Sequence, residues 1–300
     1  MINIRWKQIT ALAICVLLMV SLVGCVDQHQ QESGSQDQEG QSIISTSISV
    51  CEILDALGVD NVVGVPQSST YAIPDRYQNA TKIGAAMTPD KELVSSLNPT
   101  LILSPLSLEN DLAPQYEELK VDSAFLNLNS VAGMYQSIKE LGPIVGKETE
   151  ADQMVTEFKN FMNAYQNNNQ GKAAPRVLIL MGLPGSYVVA TENSYVGSLV
   201  KMAGGINVYG DENSEGFLNV NTEDMVKKQP DLILRTSHAM PEQVKAMFSQ
   251  EFETNDIWKH FDVVQNGKVY DLDNQKFGMS ARLNYQDALK DLQEILYGEQ

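Results

Sequence analysis

Only three histidines occur in 300 residues, so any chemistry that needs an imidazole falls to very few positions. His238, in "RTSHAM", follows the apolar run "DLIL" and precedes "MPEQVKAMF", whose apolar residues recur at helical spacing. It is expected on a strand-to-helix loop, where binding side chains concentrate. A neutral imidazole there could hold a transition metal, or it could be an ordinary surface histidine. His260, in "IWKHFDVV", stands beside Trp258 and Phe261, and packing or exposure accounts for it. His29 falls in a polar stretch that cannot hold one nitrogen in a fixed geometry. Thioethers are more plentiful. Of twelve methionines, Met87 in "GAAMTP", Met240 beside the histidine and Met279 in "KFGMSA" fall on loops, although methionine more often fills cores. Gly84, Thr88 and Pro89 mark the Met87 segment as a loop leading into a helix.

Other chemistries are absent from the pattern. There is no GxSxG, no HExxH, no glycine-rich phosphate loop with its lysine, and no CxxCH for covalent haem attachment. No enzymatic activity is expected. The surplus of 38 Asp and Glu over 21 Lys and Arg makes nucleic acid a poor partner.

The elements that must position these residues follow from the pattern along the chain. Residues 1–24 carry Arg5 and Lys7, no acid, and the apolar stretch "ALAICVLLMVSLVG", too short to span a bilayer as a helix and typical of an export signal. The stretch ends in "LVGC", which resembles the lipobox of bacterial lipoproteins, in which the cysteine is lipidated; here that residue is Cys25. With the leader removed, 21 − 2 = 19 basic residues face 38 acidic ones, a formal charge of −19. Cys15 leaves with the leader and Cys25 is taken by lipid. Cys51 then remains alone in "SVCEILDALG", expected as a buried inert thiol, with no disulfide or cysteine-built metal site. Residues 25–42 form the lipidated cysteine and a polar tether.

From residue 43 onward, β-like runs ("NVVGV", "TLILS", "RVLILMG", "DLILR", "KVYDL") alternate with helical patterns, which predicts an α/β fold with central sheets flanked by helices. Residues 147–170 give the longest stretch with neither strand signal nor proline, with Met154, Val155, Phe158, Phe161, Met162 and Tyr165 at helical spacing. One long helix is expected there, bridging an N-terminal lobe (43–146) and a C-terminal lobe (171–300). The lobes echo each other: "KELVSSLNPTLIL" puts Glu92 seven residues before Pro99, and "TEDMVKKQPDLIL" puts Glu223 seven before Pro230. A ligand is expected in the crevice between two such lobes.

Two segments of the C-terminal lobe, "VLILMGLPGSYVVATENSYVGSLVKMAGGINV" (177–208) and "PDLILRTSHAMPEQVKAMFSQEFETNDIWKHFDVVQNGKVYDL" (230–272), are similar to the haem-receptor lipoproteins of the iron-regulated surface determinant system. "VVGVPQSSTYAIPDRY" and "KIGAAMTPDKE" agree more loosely. The resemblance implies the class III substrate-binding-protein fold and delivery of haem to an ABC permease and its ATPase, with surface proteins as possible haem donors. It implies a monomer, lipid-anchored at the extracytoplasmic face of a bacterial membrane. It also implies that haem iron is held between a methionine of the first lobe, which falls on Met87, and a histidine of the second, which falls on His238.

A soft thioether opposite an imidazole favours ferrous iron and is the weaker ligand, which suits cargo that must be handed on. Haem propionates would suit a helix start, and Ser45, Thr46 and Ser47 stand ahead of a helical pattern, where they could equally be plain caps. Tyr71 and Tyr187 are candidate wall residues. Glu92 and Glu223 match the glutamates with which class III binding proteins meet arginines of the permease. Relatives of this fold also bind cobalamin or siderophores, which makes such a receptor the alternative reading. A haem-degrading or redox role is disfavoured by iron with both axial positions filled.

Overall fold

In the computed structural model, residues 3–5, 40–210 and 215–298 are described, and each half of the chain folds around its own sheet. Cys25, and with it nearly all of the expected leader and tether, lies outside the described residues. Of residues 1–24, Asn3–Arg5 alone is described, running antiparallel along Asp122–Leu126. From that edge the first-lobe sheet continues through Leu101–Pro105, Ile43–Ser45, Val62–Val65 and Thr81–Lys82, all parallel. The second-lobe sheet is ordered Phe217–Leu218, Ser186–Ala190, Arg176–Leu183, Leu232–Ser237, Val269–Asp271. Its last three strands are parallel, and Ser186–Ala190 folds back antiparallel.

The strand residues explain this layering. Val177 to Met181 and Leu101 to Leu103 are unbroken apolar runs buried along their whole length, as parallel strands covered by helices on both faces require. Helices Ile48–Ala56, Val131–Ile144, Tyr195–Met202 and Pro241–Thr254 supply that cover. Cys51 is fully buried in the first of them, and burial pushes its thiol up to about 12, so it is inert at neutral pH.

One helix, Glu148–Asn169, crosses between the lobes, within one residue of the expected span at each end. Aromatic packing holds it. Phe158 stacks on Tyr135 of the first lobe at 4.2 Å between centroids. Tyr285, which opens the C-terminal helix Tyr285–Tyr297, meets Tyr135, Phe158 and Phe161 edge-on. Each such pair adds about 0.5–1.5 kcal/mol beyond its buried area. The crossing helix therefore behaves as a strut wedged between both cores.

The internal echo is visible in the backbone. Asp90 caps Lys91–Ser96 and Asn221 caps Thr222–Lys228, each accepting backbone N–H bonds with its side chain. Glu92 and Glu223 are both the second residue of their helix, and both are exposed. Each helix stops at a left-handed residue immediately before the proline, Asn98 and Gln229, both with φ 46°, and the parallel strand starts two residues after the proline.

Candidate functional site

The C-terminal ends of the parallel strands point into the space between the lobes, where open α/β sheets carry their ligands. A cleft of about 380 Å³ lies there. Its first-lobe wall is the start of helix Ile48–Ala56 (Ser47, Ile48, Ser49), the loop from Pro66 to Tyr71, and Ala85 with Ala86. Its second-lobe wall is His238 with Ala239, and Met279, Ser280 and Arg282 from the last loop before the C-terminal helix.

His238 stands closer to the sheet than the sequence suggested. The strand does not end at Leu234: Arg235, Thr236 and Ser237 continue it, pairing with Leu180, Met181 and Gly182. The His238 N–H prolongs the ladder to the Gly182 carbonyl at 3.0 Å. Gly182 is required there for space, because a Cβ would come within 2.1 Å of Val244 and 2.8 Å of Phe248, both on the helix that follows the histidine. The chain between strand and helix turns through Met240, held left-handed at φ 50°. The imidazole is exposed, yet the flanking walls strip enough water from it to push its pKa below the ordinary 6.5. At neutral pH it is therefore uncharged, with a ring nitrogen free to bind a metal.

Met87 occupies the turn of a short hairpin in which Gly84–Ala85 pairs antiparallel with Thr88–Pro89. Gly84 has φ +96°, and a Cβ there would lie 3.3 Å from the Thr88 carbonyl oxygen. The hairpin is tied to the cleft loop by Gln67 N–H to Gly84 O at 2.7 Å. Ala85 and Ala86 line the cleft, while Met87 stands 62% exposed. The other two loop methionines differ: Met240 is 50% exposed at the start of its helix, and Met279 is partly buried in the cleft wall.

The hydroxyls expected at the helix start are sorted by the fold. Ser47 is the N-cap residue, makes no side-chain cap bond, and lines the cleft. Ser45 and Thr46 do not line it. They belong to the end of strand Ile43–Ser45, fully buried, with Ser45 Oγ donating to Ser47 O (3.0 Å) and Thr46 Oγ1 bonded to Ser104 Oγ (2.8 Å). Tyr71 is part of the wall and donates its hydroxyl across the lobes to the Asn274 carbonyl at 2.9 Å. Tyr187 is not. It packs on Phe248 and Trp258 within the second lobe and donates to Glu251 Oε1 at 3.0 Å, a carboxylate that also takes Trp258 Nε1. His260 is exposed at the end of a short 3-10 helix whose Trp258 is fully buried.

One charged side chain of the cleft wall carries no motif. Arg282 reaches from the second lobe to Glu52 of the first in a two-pronged ion pair, with Nε to Oε2 at 3.1 Å and Nη2 to Oε1. Gln275 Nε2 to Thr70 O (3.1 Å) and Ala281 N–H to Leu128 O (2.7 Å) fasten the same loop to the first lobe. The late loop "DNQKFGMSARLN" carries two cations, Lys276 and Arg282, so its sequence alone does not single out Arg282. A second hollow, of about 300 Å³, borders the His238 loop, but its Arg235 is already held by Asp271 at 2.7 and 2.8 Å and covered by Phe248 and Phe252. Among the described residues no group of three His, Cys, Asp or Glu is arranged for a metal ion, and no helix is long and apolar enough to cross a membrane.

Two α/β lobes on one strut, with a ligand-sized cleft between them, define a binding protein of the class III type. Residues 43–276 match the periplasmic binding protein family, and the chain belongs to it. It is 38% identical over 296 residues to the high-affinity heme uptake system protein IsdE of Staphylococcus aureus strain Newman, covering 97% of this chain and 98% of that one. Among solved structures, an ABC transporter substrate-binding protein from Listeria monocytogenes EGD-e superposes with TM-score 0.81 at 42% identity, covering 86% of this chain and 99% of the other. S. aureus IsdE complexed with heme gives the same TM-score and coverage at 38% identity.

Proposed function

We propose that the protein is a haem receptor that delivers haem to an ABC permease and its ATPase for iron acquisition, its iron held axially by Met87 and His238. The observation that carries this reading is the interlobe cleft with an uncharged imidazole on one wall and the methionine hairpin on the facing lobe. The 38% identity to a haem-uptake protein over 97% of the chain supports it. An imidazole suits iron, and a thioether forms the weaker opposite bond. With one ligand on each lobe, a permease that pries the lobes apart would separate both from the metal and release the cargo.

The receptor acts as a monomer at the extracytoplasmic face of the membrane, anchored by lipid on Cys25, and can take haem from surface donors. Glu92 and Glu223 dock it on the permease; their equivalent, exposed positions on the two lobes support that role.

The test is a haem titration of the purified protein read by its optical spectrum. A Soret band that saturates at one haem per chain, and that weakens sharply in H238A, is the expected result. No Soret band, or one indifferent to His238, sinks the reading. Membrane fractionation of C25A tests the anchor, with loss of the protein from the membrane expected.

A further inference from the structure

Among the residues lining the cleft, Arg282 is the one lysine or arginine. A guanidinium carries five N–H donors in a fixed fork. Nε and one Nη2 proton go to Glu52, and one Nη1 proton goes to the Gln275 carbonyl at 3.0 Å. Three of the five are thus committed, which leaves one on each terminal nitrogen. The group also lies over the Tyr71 ring, 4.2 Å from its centroid. Arg282 is therefore held still from three sides, by an acid, a carbonyl and an aromatic face. Its side chain is 14% exposed, and Ser280 beside it and Ser47 and Ser49 on the opposite wall border the same space.

We infer that Arg282 receives a carboxylate of the ligand, using its two uncommitted N–H groups. The inference rests on the haem reading, in which the two propionates supply such carboxylates. The chemistry narrows the class. Glu52 already cancels the guanidinium charge, so the pair attracts a singly charged carboxylate through charge-assisted hydrogen bonds, whereas a dianion such as a phosphate monoester would meet the Glu52 charge at close range. A pre-oriented fork also loses little conformational freedom on binding. Because the same residue ties the lobes together, an arriving carboxylate fixes the ligand to the loop that carries the interlobe bonds.

The experiment compares haem with haem dimethyl ester, which keeps the porphyrin and iron but has no free carboxylate. Each is titrated by Soret absorbance into the wild type, R282Q and E52Q. The wild type is expected to prefer the free acid by about tenfold or more, the strength of one charge-assisted bond. R282Q is expected to bind both forms equally. E52Q keeps Arg282 and frees its committed N–H groups, so its preference for the free acid should widen. If R282Q weakens both ligands together and retains the wild-type ratio, Arg282 is an interlobe fastener only and the inference fails. Should R282Q not fold, E52Q decides alone, since an unchanged or narrowed ratio there overturns the inference. A wild type that binds neither form would sink the haem reading itself, and this inference with it.

Discussion

Replacing Met87, Met240 and Met279 one at a time by alanine separates ligand from filler, because their burial predicts different stability losses. Full burial of a methionine side chain contributes about 1.5–3 kcal/mol. Met87 is 62% exposed, so at most about two-fifths of that, roughly 0.6–1.2 kcal/mol, is at stake in M87A. M240A stands to lose a similar amount, at 50% exposure, and exchanging one side chain for another does not relieve its left-handed backbone. Met279 is partly buried against the core, so M279A is expected to be the least stable of the three. Haem binding should rank them otherwise. M87A is expected to convert bound haem from a six-coordinate to a five-coordinate spectrum and to weaken binding about tenfold, or 1.4 kcal/mol, while folding normally. M240A and M279A should keep six coordination. The assay is the optical spectrum of reduced and oxidised haem complexes, alongside urea denaturation of each variant. A wild-type spectrum in M87A refutes the assignment, and loss of six coordination in M279A would transfer the role to the thioether already in the cleft wall.

Further outcomes follow from the geometry. Partial desolvation lowers the His238 pKa below 6.5, so the loss of haem affinity on acidification, where the proton competes with iron, should have its midpoint below pH 6.5; a midpoint at or above 6.5 in a binding titration contradicts this. The same shift makes the unfolded chain bind more protons in that window, so the residue's contribution to stability falls as pH drops through it. Reversing both docking charges, E92K with E223K, should abolish transport into cells while leaving haem affinity unchanged, and weakened haem binding would remove the docking role. Y285A removes a ring that is 1% exposed and touches three others, and should destabilise the protein by about 3–5 kcal/mol in urea denaturation, against less than about 1 kcal/mol for Y285F; equal losses would show that the hydroxyl, not the aromatic clamp, matters.

The parts of the fold legible in the sequence are those that local physics decides. Long buried runs such as "VLIL" have no competing reading, and the uninterrupted amphipathic pattern of residues 147–170 leaves helix as the outcome. Elements with mixed signals are harder to see. Helix Glu109–Leu119 contains Pro114 at its sixth position, past the first turn, so its pattern imitates a break, although Glu109 and Asp111 in the first turn are a helix-start signal. Strand Ile43–Ser45 is three residues long and runs into hydroxyls that read as a helix cap. It is central in its sheet, and the two flanking parallel strands, rather than its own length, make it a strand. Ser45 and Thr46 are kept out of the cleft by burial and by their own bonds, Ser45 Oγ to Ser47 O and Thr46 Oγ1 to Ser104 Oγ.

The site divides along the same line. The loops that carry His238 and Met87 are legible from their turn residues, proline after the histidine and glycine before the methionine, while their proposed roles toward iron rest on the family resemblance. Met279, with Gly278 before it, also reads as a loop residue, whereas Arg282 has no such punctuation. Their role depends on where the last loop of the second lobe lands, and that is fixed by partners more than 200 residues away: Glu52 for Arg282, Asn274 for Tyr71, Thr70 for Gln275. A motif can announce which atoms could bind iron, because coordination chemistry is local. Which groups receive the rest of a large ligand is a property of two lobes meeting, and the strut from Glu148 to Asn169 sets how they meet. If loosening the strut through Y285A also erases the preference for free-acid haem while the Met87 and His238 spectrum persists, the recognition of iron and of carboxylate are separable, the first carried by side-chain chemistry and the second by lobe geometry.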